Sequence, residues 1–155
     1  MFVADLHNDI LQRAIIGEDI TKESYNGHSD IPRLIDSKIN LEVFVIWITK
    51  YHIKNNAFNR ARQLLKQLQK IEEDCDLVKI VKSPNDLFAA KKKSILAIPF
   101  GIEGGECLEN NLKNLQYFIE QGLLYFGPTW NYSNALASSA YDEVNSLIKS
   151  DQLGL

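Results

Sequence analysis

Cysteine is scarce in this chain of 155 residues: Cys75 and Cys107 are the only two. They form no Cys-x-x-Cys pair and no disulfide framework, which excludes a disulfide scaffold and fits a reducing, cytoplasmic compartment. Long apolar runs are missing, so no stretch reads as a membrane span. The N-terminus lacks the basic region and apolar core of a signal peptide, because Asp5 and His7 arrive almost at once. Basic clusters are also few. Lys91-Lys92-Lys93 stands just before an expected strand and ends a solvated helix. With a formal net charge of −3 and a pI near 5.6, the chain is not built for nucleic acid. There is no G-x-x-x-x-G-K-S/T phosphate loop, no G-x-S-x-G elbow and no H-E-x-x-H helix.

What is present is ordinary globular composition, 45% apolar and 24% charged, enough for one domain over residues 1–155 with a real core. Residues 2–7 read as a buried strand and residues 8–15 as a short helix. A polar loop over 21–29 leads to Asp30, an N-cap, with Pro32 in the first turn of a helix to about Ser37. The run from Asn40 to Thr49 is β-branched, aromatic and nearly continuous in its apolarity, as a strand covered on both faces should be. Phe58, Ala61, Leu64, Leu65, Leu68 and Ile71 recur at helical spacing through a long helix over 56–74. A strand over 77–81 follows, then a helix opened by Ser83 and Pro84, then a strand over 94–102. Asn110 or Asn111 caps a helix to Gln121, with Gly122 as its C-terminal glycine. Residues 123–126 form a further strand, and a short helix falls within 135–150.

Alternating strands and helices predict an α/β fold with a parallel sheet of about four β/α units. In such sheets the site is built from the loops after the strands. The chemistry-bearing residues sit there. His7 and Asp9 share a face at the end of the first strand, with Asp5 two residues earlier. An imidazole and a carboxylate at that spacing can hold a divalent metal. Glu103 leaves an apolar strand beside Gly104 and Gly105, where a ligand can approach the backbone. Trp130 follows the last strand, as a substrate wall or as packing over the barrel end, and Asn131 either hydrogen-bonds substrate or holds the loop, with Asn134 beyond them. Trp47 reads as core. A second His-x-Asp, His28 and Asp30, has a structural explanation in the helix cap. His52 reads as surface, and Cys107 has no histidine placed to activate it.

Four stretches, taken together, resemble the membrane (renal-type) dipeptidase family of zinc peptidases: Asp5-Leu-His-Asn-Asp9, His28-Ser-Asp-Ile-Pro-Arg33, Gly101-Ile-Glu-Gly-Gly105, and Pro128-Thr-Trp-Asn131 followed by Asn134. That resemblance implies a (β/α)8 barrel of the amidohydrolase-like type, holding two metal ions, usually zinc. It implies that His7 and Asp9 bind the first metal, that Glu103 bridges both, and that Asp5 supports His7 and Asp9 rather than joining them. The implied reaction is metal-dependent hydrolysis of a dipeptide or similar small amide.

Two departures shape the expectation. Trp130 stands where the animal enzymes carry a substrate-contacting histidine. The family's two further metal-binding histidines, its substrate-binding arginine and its acid/base aspartate come from later strands, and Leu153-Gly-Leu155 resembles the start of its next segment. The expectation is the N-terminal half of a barrel, catalytically incomplete, with at most one zinc well held. The alternative is a non-catalytic half-barrel that pairs with a copy of itself, a homodimer, or with another chain. A different amidohydrolase on the same barrel, acting on a cyclic amide or ester, is a third reading.

Overall fold

The apolar run after Asn40 becomes the central strand. In the computed structural model, which describes residues 1–141, its side chains Val43, Phe44, Val45 and Ile46 have no exposed surface. The elements run in chain order: β1 (Ala4–Asn8), α1 (Leu11–Ala14), α2 (Ile31–Asp36), β2 (Leu41–Trp47), α3 (Lys50–Ile53), α4 (Ala57–Asp74), β3 (Val78–Lys79), α5 (Pro84–Lys93), β4 (Leu96–Ala97), β5 (Phe100–Glu103), a 3-10 turn (Gly105–Leu108), α6 (Leu112–Glu120) and β6 (Leu123–Gly127). The six strands form one sheet, and every pairing among the described residues is parallel. β1 pairs with β2, β2 with β5, and β5 with β6, while β3 joins through β4. This is the expected α/β architecture.

Strand periodicity divides the core in two. Phe44 and Ile46 of β2, with Phe100 and Ile102 of β5, pack with Leu64, Leu65 and Leu68 of α4. Val43 and Val45 point the other way and pack with Ala97, Tyr125 and Ala90. The expected α4 stripe is buried except at Phe58, which is half-buried against Tyr117 and Phe118, and Ala57 joins the stripe. Leu64→Ala is expected to destabilise the chain by about 2–5 kcal/mol, the usual cost of truncating a fully buried leucine. Urea unfolding at constant slope would measure it.

The caps follow their chemistry. The Asp30 carboxylate accepts from the Arg33 amide at 2.9 Å, with Pro32 in the first turn of α2. Ser83 does the same for Asp86 at 3.2 Å. Of the two asparagines, Asn111 caps α6, accepting from the Lys113 amide at 3.1 Å. Gly122 lies just past α6 at φ 96°, where an L side chain is strained.

Three of the expected strands need correction. Residues 2–7 are not a buried strand: β1 is exposed along most of its length, because β2 is its one strand partner among the described residues. The strand over 94–102 is broken into β4 and β5 around Pro99, whose carbonyl still accepts from the Phe44 amide at 3.0 Å. Only Val78–Lys79 of the strand over 77–81 pairs. Residues 50–53 coil into α3, carrying His52. Of the helix expected within 135–150, residues 135–141 are bends, irregular chain and a turn, and the rest, like Leu153-Gly-Leu155, lies outside the described residues. No helix among the described residues is long and apolar enough to cross a membrane.

Candidate metal centre

Parallel register brings the strand ends to one rim. Asn8 lies opposite Phe44, Trp47 opposite Glu103, and Glu103 opposite Gly127. The termini of β1, β2, β5 and β6 therefore stand together, although their residues are far apart in sequence. Among the described residues, His7, Asp9 and Glu103 form a cluster whose ligand atoms all lie within 4.8 Å of one another. His7 Nε2 is 3.4 Å from Asp9 Oδ1 and 3.7 Å from Glu103 Oε2.

Those separations suit a shared cation. A tetrahedral ion with bonds of about 2.0–2.2 Å spaces its ligands roughly 3.3–3.6 Å apart. One imidazole and two carboxylates form a donor set compatible with zinc, and the open side of the cluster leaves room for further ligands. The Glu103 carboxyl is raised above its ordinary range. Burial is the main cause, the His7 imidazole opposes it, and the Asp9 and Glu106 charges add to it. A cation at this point relieves that unfavourable burial of charge.

Asp5 does not join the cluster. Its Oδ1 accepts from the His7 amide at 3.1 Å, so it holds the backbone that carries His7. Across the inner face, the Tyr125 hydroxyl donates to the Leu6 carbonyl at 2.9 Å, tying β6 to β1 next to His7. Gly101 makes room for this, since a β-carbon there would run into the Tyr125 ring.

Trp130 stands beside the rim, 43% exposed, with its ring edge-on to Trp47 at 5.4 Å. Trp47 is consequently not a plain core residue: it is half-buried, opposite Glu103 in register, and its indole nitrogen is buried without a partner among the described residues. Asn131 lies half-exposed in the same loop. Asn134 shapes that loop, donating to the Pro128 carbonyl at 2.8 Å and accepting from the Leu136 amide at 2.9 Å.

The remaining candidates have structural roles. Asp30 is fully buried. Burial opposes its ionisation, but hydrogen bonds from the Arg33 and Ser24 amides and the Arg33 side chain hold it below the usual range. His28 is not part of the cluster. His52 Nδ1 shares a hydrogen bond with Thr49 Oγ1 at 2.8 Å. Cys107 is buried, and burial pushes its thiol up to about 12, so it is a packed thiol and no nucleophile.

Glu42 escaped the reading of the sequence, although it is the one charged residue in the apolar run of β2. It is fully buried, and its Oε1 accepts from Asn8 Nδ2 at 2.7 Å. Burial pushes its carboxyl up to about 7, opposed by the Asn8 hydrogen bond and aided by the Asp5 charge. The folded state thus retains a proton that the unfolded state, titrating near 4.5, has released. Stability from this group is greatest below that window and falls as pH rises through it, by up to about 3 kcal/mol. Glu42→Gln should flatten the slope, read as the difference in urea midpoint between wild type and variant at about pH 5 and about pH 7.5.

A family model described as membrane dipeptidase, peptidase family M19, matches residues 1–155. The chain belongs to this family. The family is described as one of dipeptidases. An uncharacterized protein of Acinetobacter calcoaceticus, described by its place in a PQQ-III 3′ region, is 30% identical over 154 aligned residues, covering 83% of this chain and 49% of the relative. Among solved structures, a Rhodobacter sphaeroides metallo-peptidase liganded with a phosphinate mimic of the dipeptide L-Ala-D-Ala superposes with a TM-score of 0.73. It is 20% identical and covers 84% of this chain and 46% of its own. An M19 metallo-peptidase, dipeptidase AC, gives 0.75 at 22% identity over 84% and 43%. A Pseudomonas aeruginosa amidohydrolase gives 0.64 at 17% identity over 73% and 33%. These likenesses place the sheet as part of a TIM-barrel-like fold. The chain spans about half the length of the relatives it matches.

Proposed function

We propose that this chain supplies the first metal-binding rim of a zinc dipeptidase. The observation that carries the proposal is the convergence of His7, Asp9 and Glu103 from two strands distant in sequence. In this reading a zinc ion supplies Lewis acidity toward a small amide carbonyl and toward the water that attacks it. His7 contributes a neutral nitrogen, and Asp9 and Glu103 contribute negative charge. Asp5 fixes the His7 backbone. Trp130, braced on Trp47, walls one side of the rim and excludes water there, and Asn131 offers an amide to a bound dipeptide. The phosphinate dipeptide mimic on the Rhodobacter sphaeroides relative supports a dipeptide as the substrate class.

The 155-residue chain alone is proposed to bind one divalent metal weakly and to leave dipeptides uncut, because the three ligands that converge among the described residues serve one ion at best. Calorimetric titration with zinc should give one site. Release of amino acids from a panel of dipeptides by the purified chain would contradict the inactive half of the proposal.

A second reading has its own observation. β1 and β6 each have one strand partner among the described residues, and both carry exposed apolar side chains, Leu6 at 62% and Leu124 at 52%. A parallel sheet with such strands favours pairing with a further copy or chain. Size-exclusion chromatography separates the two readings: a stable dimer without activity favours a self-associating half-barrel.

A further inference from the structure

The outer face of β1 carries a hydrogen-bond network that the metal cluster does not include. Asn8 sits between His7 and Asp9. Its side chain turns away from them and donates to Glu42 Oε1 at 2.7 Å and to Ser29 Oγ at 3.2 Å. Its own oxygen accepts from the Ile10 amide at 3.1 Å and from Ser29 Oγ at 3.3 Å. One amide thus joins β1, β2, the start of α1 and the loop before α2. The β1–β2 register shifts between Asp5 and Asn8, the segment that contains His7. An irregularity of this kind leaves backbone direction to be set by something other than the ladder.

Building on the metal-centre reading above, we infer that Glu42 is a positioning residue: through Asn8 it fixes the irregular end of β1 so that His7 and Asp9 are presented together at the rim. A strand end held by regular ladder bonds needs no buried carboxyl behind it. This one has a fully buried acceptor at 2.7 Å from the residue between the two ligands. Ser29 is fixed from outside the network, since Arg13 Nη1 donates to its carbonyl at 2.6 Å. The network is therefore anchored at both ends. Loss of the Glu42 acceptor leaves Asn8 held by Ser29 and the Ile10 amide alone, without its shortest bond, and His7 and Asp9 then shift with the backbone on either side of it. Glutamine keeps an acceptor of the same length, whereas leucine fills the space without one.

Cobalt(II) is the probe, because its visible absorption reports ligand geometry and its titration reports affinity. The test compares the full wild-type chain with Glu42→Leu and Glu42→Gln. Glu42→Leu is expected to weaken cobalt binding about 10–100-fold, the usual cost of losing an outer partner of a ligand, and to alter the visible bands. Glu42→Gln is expected to restore wild-type bands and an affinity within about twofold of wild type. Where Glu42→Leu does not fold by circular dichroism, Asn8→Ala at the partly exposed end of the network carries the same expectation. A folded Glu42→Leu with wild-type affinity and bands overturns the positioning role while leaving the metal centre intact. Equal loss in Glu42→Leu and Glu42→Gln overturns the acceptor role as well. A wild-type chain that takes up no cobalt overturns the metal-centre reading and this inference with it.

Discussion

His7→Ala is expected to lower zinc affinity by at least about 100-fold, more than the loss of an outer partner costs. The reason lies in the cluster's economy. Three side chains reach one point, and His7 Nε2 is the atom that both carboxylates face, at 3.4 Å and 3.7 Å. Removing it leaves Asp9 and Glu103 as two exposed or half-exposed carboxylates with no nitrogen donor between them. Asp5→Ala should cost less, about tenfold, because Asp5 touches the His7 amide and not the cluster. Calorimetric titration of the three chains in one buffer measures both effects. Equal losses for His7→Ala and Asp5→Ala would contradict the division of roles.

The second large effect is on stability. Zinc at a hundredfold excess over its dissociation constant should stabilise the folded chain by about 2.7 kcal/mol. For a chain of this size that is a rise in melting temperature of roughly 5–10 °C. The gain has a local origin. Glu103 is held above its ordinary pKa by burial, with the Asp9 and Glu106 charges adding to it, and a cation reverses that penalty. Glu103→Gln removes one ligand and much of the repulsion together. Its unliganded form should melt no lower than wild type, and added zinc should move it little. A full zinc shift in Glu103→Gln would place the ion elsewhere on the molecule.

Much of the architecture was legible because it is written in periodicity. The α4 stripe, the apolar run of β2 and the Ser83-Pro84 and Asp30 caps are local signals, and each appears where its chemistry puts it. The cluster of His7 with Glu103 was legible for a different reason. A parallel sheet aligns strand ends, so two weak motifs at strand ends had to share a rim. What failed depended on neighbours. The stretch 2–7 is apolar at Phe2, Val3 and Leu6, yet β1 is exposed along most of its length, and exposure is a property of what lies beside a strand, not of its own residues. Pro99 breaks a run whose hydrophobic pattern is continuous. Glu42 was hidden inside the best-read strand. A single acidic residue in an apolar run says that something unusual is buried there, but not that Asn8, 34 positions away, donates to it.

The most direct test of the metal centre is a crystal of the chain grown with zinc and measured at the zinc absorption edge. An anomalous peak bonded to His7 Nε2, Asp9 and Glu103, at about 2.0–2.2 Å from each, is the expected result. A peak at other side chains, with the His7 cluster empty at saturating zinc, would contradict it.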